Sequence, residues 1–168
     1  MSTLSVWRFE TPDGADRAVK TLGDLARERL ITIHDAATVS WPEGAKKPKT
    51  RQLNDLAGEG ALGGAFWGML FGLLFLVPLL GAAIGAAAGA LAGKFSDVGI
   101  SNEFIARARE RITPGSSALF VLSSDAVVDR VKQEFSGQQV ELLFTNLSTE
   151  QEAKLREAFE EDKDTLVA

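Results

Sequence analysis

Few residues in this chain could carry acid–base or nucleophilic chemistry. His34 is the single histidine, and Asp35 follows it directly. An imidazole beside a carboxylate can serve as a general base, but that work needs a substrate cleft and a partner within hydrogen-bond reach, so a lone strand histidine reads as structural. Gly93-Lys94-Phe95-Ser96 comes close to the end of a phosphate-binding loop and fails by spacing. The carboxylates between Glu150 and Asp164 fall on a charged helical stretch and read as a solvated face. With no cysteine, disulfides and thiolate-ligated metals are excluded, and one histidine excludes most zinc and haem arrangements. The residues therefore predict no enzyme, no cofactor and no metal site.

The unusual pattern lies in stretch 60–93, which has no charged side chain. Glycine recurs at every fourth position, at Gly60, Gly64, Gly68 and Gly72, and again at Gly81, Gly85, Gly89 and Gly93. Positions four apart share one helix face, so each arm would carry a groove bare of side chains, the packing logic of small-xxx-small interfaces. Each interior glycine costs on the order of 1 kcal/mol relative to alanine, so something must pack on them. Pro78 divides the stretch, because it lacks the N–H that a continuing helix needs. Large residues dominate the first arm from Phe66 to Leu76 and alanine the second. A helical hairpin follows, buried in lipid or against copies of itself.

Such a hairpin would not cross a bilayer in two ordinary spans. Arms over 60–76 and 79–93 would rise about 25 and 22 Å, against roughly 30 Å of hydrocarbon. The turn Leu76-Val77-Pro78-Leu79 offers no polar group to water on a far side. A re-entrant hairpin, or one capped by symmetry mates, satisfies both facts.

Around this stretch lie alternating elements. Leu4 to Glu10 reads as a strand, and Thr11-Pro12 as the cap and first position of an amphipathic helix ending near Leu30. A second strand runs through Ile31, Ile33, Ala37, Val39 and Trp41, with a weak return strand through Thr50 and Leu53. Ser101 caps a helix whose apolar positions are Phe104, Ile105, Ala108 and Ile112 and whose wet face carries Arg107, Arg109, Glu110 and Arg111. Ala118 to Leu122 reads as a central strand, Asp125 to Phe135 as a helix, and Val140 to Leu147 as the last strand. Ser148 and Gln151 form a capping box for a closing helix through Phe159, with a frayed tail beyond Glu161. The order is the split βαβ pattern of an α+β, ferredoxin-like sandwich spanning 1–53 and 101–168, with the apolar glycine-zipper helical hairpin inserted at 54–100. One sheet face would need a cover from the extra helices or another subunit.

A net charge of −5 argues against a general nucleic-acid binder. Lys46, Lys47, Lys49 and Arg51 form the dense basic cluster, at a hairpin tip, and Lys94 flanks the other end of the apolar stretch. These five are the candidate contacts to anionic lipid head groups, each worth about 1 kcal/mol near a membrane surface. The amino-terminal residues lack an apolar core of signal-peptide length, and basic flanks lie on the cytoplasmic side of an inserted segment.

Several strings together are specific: Ala61 through Gly93, then Phe95-Ser96-Asp97-Val98-Gly99-Ile100, then Pro114-Gly115-Ser116-Ser117-Ala118-Leu119-Phe120-Val121-Leu122, then Leu147-Ser148-Thr149-Glu150-Gln151-Glu152. The chain resembles the bacterial domain-of-unknown-function family 1269, from its first strand to its last helix. The resemblance implies membrane association and carries no reaction and no catalytic residues.

The expected function is that of a non-enzymatic, membrane-associated homo-oligomer assembled through the hairpin, with roles in membrane remodelling, permeation or stress response. Its expected address is the inner membrane, with the α+β domain in the cytoplasm. The alternatives are a soluble cytoplasmic homo-oligomer with hairpins pooled in a shared core, and a ferredoxin-like small-molecule sensor, the last by analogy of fold alone.

Overall fold

The computed structural model describes residues 2–53, 64–76, 93–124, 133 and 140–159. Gly60, Pro78, Gly81, Gly85, Gly89, most of the helix expected at 125–135 and the tail beyond Glu161 lie outside the described residues. Mixed helix and antiparallel sheet make this an α+β protein. Strands β1 (Ser2–Phe9), β2 (Thr32–Ser40), β3 (Lys49–Gln52), β4 (Ser117–Ser124) and β5 (Val140–Leu147) form one sheet in the order β3-β2-β4-β1-β5. All four pairings are antiparallel.

Strand β4 is central, and Ala118 to Leu122 are all buried because helices cover both faces of the sheet. Alternation assigns its side chains cleanly. Leu119 and Val121 point to one layer, with Trp7 and Phe9 of β1. Ala118, Phe120 and Leu122 point to the other, with Leu4 and Val6. In β2 the alternation changes phase. A register irregularity between Ile33 and Asp35 leaves Ile33 and Ala36 in the first layer but Ala37 and Val39 in the second. An uninterrupted alternation would have kept Ile33 and Val39 on one face.

Helix α1 (Gly14–Arg27) covers the first face with Ala15, Ala18, Leu22 and Leu25. It does not start at the predicted cap. Asp13 occupies the cap position without a side-chain bond, and the helix begins at Gly14. The service comes from β4, where the Ser117 hydroxyl donates to the Thr11 carbonyl (2.7 Å) and accepts from the Ala15 N–H (2.9 Å). At the far end the helix stops at Arg27, short of Leu30, because Arg29 turns left-handed (φ 61°) while the Leu30 N–H reaches back to the Leu25 carbonyl.

Among the described residues, the second face is covered by three pieces between 64 and 111, joined by Leu155 near the carboxyl end. Helix α2 (Gly64–Phe71) runs into a π-helical turn (Gly72–Leu76). A short helical turn at 93–97 leads to Gly99, and α3 (Asn102–Arg111) follows, its start capped by Ser101 Oγ accepting from the Phe104 N–H at 3.2 Å. Phe66, Trp67, Leu70, Phe71, Leu73, Leu74 and Phe75 all enter one cluster with the sheet residues and with Phe104, Ile105 and Ala108 of α3. The described part of the first arm thus spends its bulky side chains on the sheet of its own chain. Helix α4 (Thr149–Phe159) closes the fold with the predicted capping box. Ser148 Oγ accepts from the Gln151 N–H (3.1 Å), and Gln151 Oε1 accepts from the Ser148 N–H (2.9 Å).

Candidate interaction site

Two polar devices hold the first arm to the sheet. The Trp67 indole N–H donates to Asp35 Oδ2 at 2.9 Å, and Asp35 is fully buried. Its other oxygen accepts from the Ala36 N–H at 2.9 Å, and Gln52 Nε2 lies 3.4 Å from Oδ2. A buried indole N–H needs an acceptor, and a buried carboxylate needs donors, so each residue answers the other's requirement. Arg109 of α3 supplies the second device. Its guanidinium donates to the carbonyls of Leu73 (2.6 Å, from Nη2) and Leu74 (3.3 Å, from Nε), in the π-helical turn. Arg109 is therefore half-buried and engaged, which corrects its placement on a wet helix face. A π turn frees carbonyls from their usual partners, and a long cationic side chain can meet them.

The described bonds of His34 and Asp35 run to different partners. His34 Nε2 lies 3.0 Å from Ser124 Oγ across the β2–β4 pairing, whereas Asp35 serves Trp67, Gln52 and Ala36.

With the bulky side chains turned inward, the glycines turn outward. Gly64 and Gly68 are exposed and Gly72 is half-buried. A Cβ on Gly68 would meet no atom of a described residue within 4 Å, and among the described residues one on Gly64 would meet Gln52 Oε1 alone, at 3.7 Å. Gly93 is likewise open. No described residue presses closely enough on these three positions to require glycine there.

The outward stripe borders an open groove of about 440 Å³. Gly64, Gly68 and Gly72 line it together with the largely buried Trp67, Phe71 and Phe75. Opposite stand Lys47, Pro48, Thr50 and Gln52, from the basic tip and β3. The fold therefore brings one part of the predicted basic cluster against one part of the predicted glycine ladder. Lys46, Lys49 and Lys94 are exposed without lining the groove. Arg51 turns toward α1, where its Nη2 pairs with Asp16 at 3.3 Å.

A model of the family described as "protein of unknown function (DUF1269)" matches residues 61–160, more than half of the chain. The chain belongs to the DUF1269 family. The match covers the described first arm, α3, β4, β5 and all of α4, but begins after β1, β2 and β3, a narrower reach than the sequence resemblance implied. No curated protein and no solved structure matches. Among the described residues of this DUF1269 protein, no helix is long and apolar enough to cross a membrane, and no cluster of His, Cys, Asp or Glu could hold a metal.

The Asp35–Trp67 bond and the Arg109 clamp escaped the sequence reading. A tryptophan inside an uncharged run is a signal that an acceptor must come from elsewhere in the chain, and Asp35, the carboxylate of β2, supplies it. Nothing in the spacing marks Arg109 apart from Arg107 and Arg111.

Proposed function

We propose that this DUF1269 protein is a non-enzymatic, membrane-associated homo-oligomer, assembled through the glycine ladder of stretch 60–93. One observation carries the reading. Where the ladder is described, the bulky side chains face the chain's own sheet and the glycines face away from it. Exposed helical glycine costs on the order of 1 kcal/mol per position relative to alanine, a cost that a close-packed partner offsets. The second ladder, Gly81, Gly85, Gly89 and Gly93, sits in an alanine-rich setting and is the part we assign to contact between copies. The exposed lysines of the tip add attraction to anionic head groups and orient the α+β part toward the cytoplasm at the inner membrane.

We read the sheet as ferredoxin-like. Setting aside the edge strand β3, the order β2-β4-β1-β5, all antiparallel, with α1 linking β1 to β2, supports this.

A soluble assembly is the second reading, favoured by the burial of Phe66 to Phe75 within the chain itself. Fractionation of expressing cells separates the two: recovery in the membrane fraction, released by detergent, is expected for the first, and recovery without detergent for the second. The assembly itself is tested by light scattering. Replacing Gly85 and Gly89 with leucine holds backbones apart and lowers the oligomer mass, whereas Gly60→Ala leaves it unchanged. A double leucine variant that keeps the parent mass contradicts the reading.

A further inference from the structure

We propose that the acidic segment 160–164 of this chain docks on the basic tip between β2 and β3 and competes there with anionic lipid head groups. The competition deepens the membrane-associated reading and rests on it, whereas the docking itself does not.

Charge singles out the tip. Three exposed arginines elsewhere each stand beside a carboxylate: Arg17 pairs with Asp13 at 3.3 Å, Arg27 with Asp24 at 2.9 Å and Arg111 with Glu141 at 3.2 Å. At the tip, Lys46, Lys47 and Lys49 are exposed, and among the described residues none of them makes an ion pair or a side-chain hydrogen bond. Arg51, beside them on β3, meets Asp16 at 3.3 Å and still keeps 62% of its side chain exposed. These four cations, with Glu43, give 41–52 a net charge of +3 in a chain of −5. Like charges crowded into six positions repel one another, and a partner of opposite sign relieves them.

The same chain holds the complement. Glu160, Glu161, Asp162 and Asp164, with Lys163 among them, give 160–164 a net charge of −3. Reach permits the contact. β5 and β3 are the outer strands of the sheet, four strand spacings apart, about 19 Å. Five residues span at most about 18 Å. Leu155 of α4 is buried in the second-face cluster, so the segment departs from over the sheet and the gap left to cross is less than the full width. Little intrinsic affinity is needed, because a short tether holds the two charged segments at an effective concentration in the millimolar range. A lysine neutralised by a carboxylate attracts a lipid phosphate less, so docking lowers the pull of the tip toward an anionic surface.

The docking is tested first without lipid. A zero-length carbodiimide, which joins an amine to a touching carboxylate with loss of water, is applied to an equal mixture of isotope-labelled and unlabelled full-length protein. Mass spectrometry should find Lys46, Lys47 or Lys49 joined to Glu160, Glu161, Asp162 or Asp164 within single chains. Absence of these links overturns the proposal, and so do links formed only between chains, which would give the tip to a second copy. The competition is then tested on vesicles of phosphatidylserine and phosphatidylcholine. Glu160→Gln, Glu161→Gln, Asp162→Asn and Asp164→Asn combined should raise vesicle affinity by about tenfold at low salt, and by less at high salt. With Lys46, Lys47 and Lys49 all changed to glutamine, the same four substitutions should alter affinity by less than about twofold. Melting temperatures check that each variant folds. An equal gain in both backgrounds reduces the effect to net charge and overturns the competition. Vesicle binding absent from every one of these proteins contradicts the membrane-associated reading, while the cross-links still decide the docking.

Discussion

The two faces of the sheet are covered by helices of opposite design. Over one face, α1 buries Ala15, Ala18, Leu22 and Leu25 and turns charged residues outward, with Arg17 paired to Asp13 at 3.3 Å and Arg27 to Asp24 at 2.9 Å. These exposed pairs add little stability, but they finish the helix in water. Over the other face, α2 and its π turn bury seven large apolar side chains and turn glycine outward. Both inner faces do the same work. Only α1 has an outer face that water satisfies without further contact. Amphipathicity has two halves, and a helix whose polar half is replaced by glycine is packed on one side and still available on the other.

The largest expected effect strikes at the claim that the inner faces are equivalent. Phe66, fully buried, meets Trp67 and Phe95 in edge-to-face contacts at 4.9 and 5.8 Å between ring centroids. Phe66→Ala should destabilise the α+β domain by about 3–5 kcal/mol, and Leu22→Ala on the α1 side by about 2–5 kcal/mol, in denaturant unfolding. A loss under about 1 kcal/mol for Phe66→Ala alone would separate the arm from the domain core.

A smaller loss sharpens what holds the arm down. Trp67→Phe keeps most of the ring but leaves Asp35 without the indole donor, and should cost about 1–3 kcal/mol. Arg109→Met removes the donors to Leu73 and Leu74 while keeping the aliphatic stem, and should cost about 1–2 kcal/mol. Unchanged midpoints in both would reduce the arm's attachment to apolar contact.

The smallest effect has the opposite sign. Gly68→Ala places a methyl in open space on an exposed helix face and should stabilise folding by about 0.5–1 kcal/mol. Gly99→Ala gives the contrasting case, since Gly99 has φ 96° and its Cβ would lie 2.7 Å from Leu147 Cδ2. Two glycines of one sequence thus predict opposite signs, and thermal melts of both variants check them.

Local signals carried much of this fold. The strand Ala118 to Leu122 was legible because an unbroken apolar run of that length has to be buried on both faces, and the caps at Ser101 and Ser148 were legible because their chemistry is local. What was not legible came from distant partners. The start of α1 depends on Ser117, over a hundred positions away, and the phase change in β2 depends on a bulge that no residue type announces. The glycine spacing exposed the candidate site as a stripe, but hydrophobicity is the same whether an aromatic run enters lipid or covers a sheet. Deciding between them needed to know that a sheet face lay open for it.

The chain has no cysteine, so single cysteines report directly on which side of the arm faces water. Cysteines placed separately at Gly68 and Leu70 in detergent-free or detergent-dispersed protein, labelled with an impermeant thiol reagent under native conditions, test the inward–outward division of α2. The Gly68→Cys variant should label at the rate of an accessible thiol, and Leu70→Cys, at a position now fully buried, only as the domain unfolds. Equal native labelling at the two positions would contradict the packing of the first arm on its own sheet.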